Sequence, residues 1–192
     1  MTLTDRSLES WGDRLRRISA EVARTLPGEG PERQPVHTVY GGAQIFGATT
    51  IEKMGDVALA ALDRWMPDPE TLSQVLRLSP GLAEQVHPLV REKLIREPVE
   101  DYRIDFEDGY GHRPDDEEDG HARGAALAMA EAADTGALSP YVGIRIKSLT
   151  GELHRRALRT LDLFVTTAVE QSGGLPSGFA VTLPKIQHVE QV

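Results

Sequence analysis

The sequence predicts an α/β fold built around a parallel sheet. Segments in which apolar and polar residues alternate with a period of two indicate strands, and segments in which apolar residues recur every three or four positions indicate helices. The two kinds of segment alternate along the chain, so consecutive strands are expected to lie parallel and to be joined by right-handed crossovers. The predicted strands are residues 36–40, the beginning of 102–111, residues 141–149 and residues 178–186.

The first helical segment, residues 5–25, has five apolar residues spaced alternately by three and four positions. These residues are Leu8, Trp11, Leu15, Ile18 and Val22. Prolines and glycines between residues 27 and 35 end the helix. We therefore divide the chain into an N-terminal helical extension with its loop, residues 1–34, and a domain of residues 35–192. The predicted helices of the domain are residues 51–65, one or two helices within 70–96, residues 121–134, residues 151–171 and a helix that begins within the last six residues.

The composition excludes several kinds of partner and site. The chain has 192 residues and a net charge of −9, which does not favour binding to the phosphates of nucleic acid or of anionic membranes. It contains no cysteine, which excludes disulfides and thiolate zinc sites. There is no run of about 18 apolar residues that would predict a membrane span, and the N-terminus lacks the apolar stretch of a secretory signal. We expect a cytoplasmic protein without nucleic-acid or membrane partners.

Charged residues follow three of the four predicted strands near their carboxyl ends, where parallel α/β folds place their chemistry. Carboxylates at this position could hold a divalent cation, because Mg²⁺ prefers oxygen ligands and keeps several of its waters. An arginine on a neighbouring strand could bind an anionic substrate in bidentate fashion. The charged residues are Asp105, Glu107 and Asp108 after the second strand, Arg145 and Lys147 on the third, and Lys185 on the fourth.

The alternation of the strands places Asp105 and Glu107 on one face, and Arg145 and Lys147 on one face of the next strand. Charges are costly on a sheet that helices cover on both sides, whereas the inner face of a barrel opens into a pocket near its top. A structural alternative remains open, in which the carboxylates and the arginine form an ion-pair cluster without a ligand. Lys185 could equally be a solvated strand end.

Two further features allow both a functional and a structural interpretation, and a third allows only a structural one. Gly41 and Gly42 could bring backbone amides close to a ligand, or could simply close a strand-end turn. His112, just after the glycines of the second strand, could line a pocket or lie on a surface loop. The acidic run of residues 115–119 is expected to be a solvated loop that leads into a helix N-terminus, where acids are favoured.

Three motifs occur in the order D-F-E-D-G at 105–109, G-I-R-I-K at 143–147 and V-T-L-P-K-I at 181–186. Together they resemble the aldolase/citrate lyase family, whose citrate lyase beta-subunit-like members fold as phosphoenolpyruvate/pyruvate-binding TIM barrels. In that family a strand ending in D-L-E-D is followed by strands carrying V-R-I-N and L-P-K. The stretches VHTVYGGAQIF and YRIDFEDGYG look closest to a separate branch of the family. The resemblance covers about residues 35–192, and the N-terminal helix looks like an addition specific to the branch.

The resemblance implies a role for each matching residue. Arg145 matches the arginine that binds the substrate's carboxylate or carbonyl oxygen, and Lys185 matches the lysine at the pocket edge. Glu107 and Asp108 match acids that lie near Mg²⁺, through its waters, and Asp105 matches the first acid of that motif. The implied catalytic residues are Arg145, Asp105 and Lys185, and the implied substrate-binding residues are Arg145, Lys147, Gly41 and Gly42. Lys147 stands where the family has asparagine, which puts the identity of the substrate in doubt.

The implied activity is a magnesium-dependent carbon–carbon lyase or aldolase that acts on a 2-oxo acid or acyl-CoA-type substrate through an enolate. A TIM barrel has eight strands, and the four strands here predict a partial barrel of about the first four βα units with an extra N-terminal helix. The family's main metal ligands would then lie beyond Val192. Open strand edges invite pairing with another chain, so we expect a homo-oligomer. The alternatives are a phosphotransferase that uses phosphoenolpyruvate and a truncated, non-catalytic half barrel.

Overall fold

The computed structural model describes residues 4–26, 28 and 30–192, and the chain divides into two compact units, residues 1–34 and 35–192. The first unit contains helix α1, Asp5–Thr25, over the range that the apolar spacing predicts. Thr4 caps this helix, because its hydroxyl accepts a hydrogen bond from the backbone N–H of Ser7. Pro27, the first of the residues predicted to end the helix, lies outside the described residues.

The second unit contains a four-stranded sheet in which all strands are parallel, so the predicted α/β architecture with a parallel sheet is confirmed. The strands lie side by side in chain order, β1-β2-β3-β4. Their bounds are Thr38–Gly42 for β1, Asp101–Asp105 for β2, Tyr141–Arg145 for β3 and Phe179–Thr182 for β4. Strand β1 includes the two glycines that were expected to close it, because they remain paired with the last two residues of β2.

The second, third and fourth predicted strands are too long at their carboxyl ends, whereas β1 continues two residues beyond its predicted end at 40. Strand β2 stops at Asp105, because the carboxylate of this residue accepts hydrogen bonds from the backbone N–H groups of Glu107 and Gly109 and so bends the chain out of the sheet. Strand β3 stops at Arg145 and β4 at Thr182, each four residues before its predicted end at 149 or 186. The alternation of residue types continues beyond the last ladder pair, and periodicity alone does not reveal where pairing stops.

Helices connect the strands. Two helices begin away from their predicted starts: α6 begins at His154 and not at 151, and α5 begins at Asp115 and not at 121. The start of α5 therefore lies inside the acidic run, and the four acids of its first turn are favourable at the positive end of the helix dipole. Helix α4 continues through Pro88. The last six residues form a short 3₁₀ turn, Val189–Gln191, and another such turn, Ala43–Ile45, follows β1. The α-helices are α2 Thr50–Trp65, α3 Pro69–Leu76, α4 Pro80–Arg96, α5 Asp115–Thr135 and α6 His154–Ser172.

The two faces of the sheet differ in character. One face carries Ile104 of β2 and Ile144 of β3 and packs against the buried sides of α2, α5 and α6, forming the hydrophobic core. The opposite face is polar, because successive side chains of a strand point to opposite sides. This polar face carries Thr38, Asp101, Arg103, Asp105 and Arg145. No helix among the described residues is long and apolar enough to cross a membrane.

Gly143 allows a charged side chain to cross the polar face. Arg103, Gly143 and Ala180 occupy the same register position on β2, β3 and β4. The guanidinium of Arg103 lies over Gly143 and donates a hydrogen bond to the carbonyl of Ala180, 3.1 Å away. A Cβ at position 143 would meet both that carbonyl and the guanidinium at less than van der Waals distance. The same arginine donates to the carboxylate of Asp101.

We expect Gly143→Ala to lower the free energy of unfolding by about 2 kcal/mol, because the added methyl group would clash with the guanidinium of Arg103 and the carbonyl of Ala180. Urea-induced unfolding monitored by circular dichroism measures the difference. Gly124→Ala, on the exposed side of α5, is the matched control, since an added Cβ there meets no atom within 4 Å. It should leave stability unchanged or raise it by up to about 1 kcal/mol. Equal stability of the Gly143→Ala variant and the wild-type chain would contradict the close packing of Arg103 and the Ala180 carbonyl against Gly143.

Candidate functional site

Asp105 and Arg145 form a buried ion pair at the carboxyl ends of β2 and β3. They are partners in the parallel ladder. The Nε and Nη2 atoms of Arg145 donate to the two carboxylate oxygens of Asp105 at 2.8 and 2.5 Å, and the backbone N–H groups of Glu107 and Gly109 donate to the same carboxylate at 2.8 Å each. Burial raises the pKa of Asp105, but the hydrogen bonds from Arg145 and the two amides outweigh burial, so this pKa lies below its ordinary value.

Arg145 keeps only one edge of its guanidinium for other partners. Its Nε and Nη2 atoms are engaged by Asp105, and the ring of Tyr40 lies 4.6 Å from the guanidinium carbon. The remaining atom, Nη1, is 3.4 Å from Glu107 and 3.8 Å from Asp108. The hydrogen bond with Asp105 raises the pKa of Arg145. An anion could therefore approach Arg145 only at Nη1, in competition with Glu107 and Asp108, and not at the bidentate fork that the sequence suggested.

Lys185 brings the fourth strand into the same group of charges. Its ammonium contacts Glu107 and lies 3.1 Å from Asp108, and the hydrogen bonds to these two carboxylates raise its pKa. The hydrogen bond from Lys185 lowers the pKa of Asp108. Lys185 has φ +55°, in the left-handed region that residues other than glycine rarely adopt. We call Asp105, Glu107, Asp108, Arg145 and Lys185 the carboxyl-end cluster.

The carboxyl-end cluster has one uncompensated negative charge, because it sets three carboxylates against two cations. The side chain of Glu107 is about nine-tenths buried, and its Oε2 atom accepts no hydrogen bond from the described residues. The Nη1 atom of Arg145 lies 3.4 Å from this oxygen without forming a hydrogen bond, and a buried acceptor without a donor favours a further cation or a water nearby. In the described part of the chain, no group of three or more histidine, aspartate or glutamate side chains is arranged to hold a metal ion.

A cleft of about 260 Å³ lies beside the carboxyl-end cluster and adjoins three of its members, Glu107, Asp108 and Lys185. Its other lining residues are Gly111, His112, Lys147, Ser148 and Leu153. His112 therefore does line a cavity, although it is exposed. A larger cavity of about 550 Å³ lies between α2 and the segments that enter β2 and β3, and none of the charged residues predicted for the site lines it. We place the candidate site at the smaller cleft, because charges from three strands meet there.

Lys147 has different partners from Arg145, so the expectation that the two share one face does not hold. Strand β3 ends at Arg145, and Lys147 lies beyond the regular alternation. Its ammonium donates to the carbonyl of Phe106 at 2.7 Å, pairs with Glu118 at 2.8 Å and lies 4.8 Å from the ring of Tyr110. Lys147 is thus buried at the rim of the cleft, and it forms an ion pair with Glu118 of α5.

The acidic run does not remain solvated as predicted, because two of its members are buried between α5 and α6. The carboxylate of Glu118 accepts a hydrogen bond from Thr160 at 2.6 Å, and that of Asp119 accepts hydrogen bonds from Arg156 at 2.6 Å and from Arg159. The hydrogen bond from Arg159 lowers the pKa of Asp119. Helical spacing was the available signal, since Glu118 lies on the same side of α5 as the buried residues Ala122, Ala125 and Met129.

Gly41 and Gly42 are positions of close packing. A Cβ at Gly41 would collide with the hydroxyl of Tyr102, and one at Gly42 would collide with the side chain of Gln44 and the carbonyl of Gly109. The need for glycine is therefore explained without a ligand at either position. Their substrate-binding role remains a prediction.

We expect Asp105→Asn to lower the free energy of unfolding at neutral pH by about 3–5 kcal/mol, because it removes the buried charge that pairs with Nε and Nη2 of Arg145 and leaves only the longer contacts of Nη1 with Glu107 and Asp108. The pKa of Asp105 in the folded chain lies below the ordinary 3.8. Its contribution to stability is therefore complete above pH 3.8 and is lost as the pH falls through the folded pKa. The difference between the variant and the wild-type chain should shrink accordingly in denaturant unfolding at acidic pH.

Asp63→Asn is the control for this experiment, because it breaks an exposed ion pair with Arg91. Exposed pairs contribute little, so the variant should differ only slightly from the wild-type chain at every pH. If the two variants lost similar stability, the buried Asp105–Arg145 pair would contribute no more to the free energy of unfolding than an exposed pair does.

Comparison with known proteins identifies a family and no individual relative. No protein with a curated description matches the chain significantly. No solved structure matches it significantly either. The family described as a domain of unknown function, DUF6986, matches residues 15–192, which include every residue of the carboxyl-end cluster. Since this match covers most of the sequence, the chain belongs to the DUF6986 family.

Proposed function

We propose that the chain carries part of the active site of a magnesium-dependent carbon–carbon lyase or aldolase, which acts on a 2-oxo acid or an acyl-CoA-type substrate through an enolate. The observation that carries this proposal is the carboxyl-end cluster. Three neighbouring parallel strands deliver carboxylates, an arginine and a lysine to one point beside a cleft. The resemblance of the three sequence motifs to the aldolase/citrate lyase family supports the same assignment.

The fold we propose is the first four βα units of a TIM barrel. Strand order supports it, because β1 to β4 lie side by side in chain order without the reversal of a doubly wound sheet. The distribution of residues supports it as well, since helices cover the apolar face and charged residues occupy the other. In TIM barrels the active site lies at the carboxyl ends of the strands, which is where the carboxyl-end cluster lies.

Glu107 and Asp108 would hold Mg²⁺, partly through its waters. Mg²⁺ is commonly bound by one or two carboxylates together with several waters, which suits two adjacent acids. The buried Oε2 atom of Glu107, which accepts no hydrogen bond from the described residues, supplies an acceptor. When bound, the ion would supply the Lewis acid that stabilises an enolate oxygen.

The residues of the chain would bind and orient the substrate. The Nη1 atom of Arg145 would hold the substrate's anionic group and share the negative charge that develops on the enolate. Asp105 is a positioning residue in this proposal and not a base, because its carboxylate is buried and already accepts four hydrogen bonds. Lys185 would balance the charge of Glu107 and Asp108 at the rim of the cleft.

One observation favours a second candidate, a non-catalytic ion-pair cluster. Both cations of the carboxyl-end cluster are already paired with its carboxylates, as in structural ion-pair networks. Magnesium binding and activity distinguish the two candidates.

We expect Mg²⁺ to bind weakly, because the ammonium of Lys185 occupies the space between Glu107 and Asp108. Lys185→Met should raise the affinity about 30-fold, since one positive charge about 4 Å away from the doubly charged ion opposes it by roughly 2 kcal/mol in water. Isothermal titration calorimetry measures both dissociation constants. Lys53→Met, which removes an exposed lysine of α2, should leave the affinity unchanged. Equal affinities of the wild-type chain and the Lys185→Met variant would argue against Mg²⁺ binding between Glu107 and Asp108, beside the ammonium of Lys185.

We expect a complete barrel that contains this chain to cleave or form a carbon–carbon bond in at least one of a panel of 2-oxo acids and acyl-CoA thioesters, in the presence of Mg²⁺ and not after chelation. Asp108→Asn should lower kcat/KM about 10–100-fold, as changes to groups around a bound metal do. Its side chain is largely exposed, so folding should be unaffected. Asp116→Asn, an exposed acid in the first turn of α5, is the control and should retain full activity. Turnover that is independent of Mg²⁺ would contradict the proposal.

A further inference from the structure

Helix α1 exposes an apolar stripe along its whole length. Its five apolar residues are each about half exposed, and none of the residues Asp5–Thr25 is buried. Most of the stability of a helix in a protein comes from the packing of its apolar face and not from helix propensity. The stripe consists of Leu8, Trp11, Leu15, Ile18 and Val22.

The spacing of the stripe suits another helix better than a sheet or a broad protein surface. Its residues fall on alternating a and d positions of a heptad, with Leu8, Leu15 and Val22 at a and Trp11 and Ile18 at d. A helix that packs on a globular core usually adds apolar residues at e or g, which widens its stripe. Here the flanking positions within the helix are polar or glycine, namely Ser7, Gly12, Arg14, Ser19 and Glu21.

The charges at the g positions select an antiparallel partner with the same sequence. In an antiparallel pair centred on Leu15 and Ile18, each Arg14 faces Glu21 of the second copy, which gives two opposite-charge pairs across the seam. In a parallel pair, Arg14 would face Ser19 and Glu21 would face Leu26, and neither gains a charged partner. Self-complementarity of this kind fits a two-fold symmetric contact.

A membrane surface is a poorer partner for this helix. Interfacial helices that bind anionic lipids concentrate basic residues on their polar face. In α1 the five arginines are offset by four acids, so the helix has a net charge of only +1. We propose that α1 pairs antiparallel with α1 of a second copy of the chain, with Arg14 of each copy facing Glu21 of the other.

Sedimentation equilibrium of the full chain at several concentrations tests this proposal. We expect a dimer for the wild-type chain, and a dissociation constant about tenfold higher or more for Arg14→Glu, because two attractive pairs become repulsive. The double variant R14E/E21R restores both pairs in reversed order and should return the dissociation constant to near that of the wild-type chain. Arg17→Glu, the same charge change at a c position away from the seam, should have no effect.

A mixture provides a second readout that does not depend on the stability of any single variant. The R14E chain and the E21R chain should each associate weakly alone but form a heterodimer when mixed, since their charges are then complementary. A monomeric wild-type chain, or a double variant as weak as Arg14→Glu alone, would overturn the proposal. Cosedimentation of a monomeric wild-type chain with phosphatidylserine vesicles would instead favour a membrane surface. None of these measurements uses metal or substrate, so their outcome is independent of the proposed activity.

Discussion

The carboxylate of Asp105 is fully buried at the end of β2, and the two hydrogen bonds from Arg145 and the two from backbone amides keep it ionised there. A buried carboxylate without such partners would be neutralised. The pair ties β2 to β3 through side chains as well as through the ladder. The amide bonds bend the chain after β2, and this bend presents Glu107 and Asp108 to the cleft. The geometry of the candidate site therefore depends on the ionisation of one residue.

Two arginine–aspartate ion pairs follow one another along the strands on the polar face of the sheet. Nearer the beginning of the strands, Arg103 pairs with Asp101 and reaches over Gly143 to β4. At the carboxyl ends, Asp105 pairs with Arg145. Each arginine satisfies a buried acid and links neighbouring strands. A sheet face of this kind could not be covered by an apolar helix layer without leaving charges desolvated, which is a physical reason for α2, α5 and α6 to pack on the other face.

Lys147 connects the cleft to a second network of charges between α5 and α6. Through Glu118 it reaches Thr160, and Arg156 joins Glu118 to Asp119. The helix that follows β2 and the helix that follows β3 are thus fixed to each other by ion pairs beneath the cleft. A positioning role for Lys147 follows from this arrangement, which differs from the substrate contact that the sequence motif implied.

The sequence by itself determined the parallel α/β architecture and the position of charged residues near three strand ends. Both are local properties, because the periodicity of apolar residues and the order of charged residues can be recognised within about ten residues of sequence. Only the tertiary structure decided which charges meet. Asp105 and Arg145 are separated by 40 residues and become partners through the register of β2 against β3, which no local pattern encodes. Helical spacing places Glu118 on the buried side of α5, but only the packing of α5 on α6 supplies its partners Arg156 and Thr160.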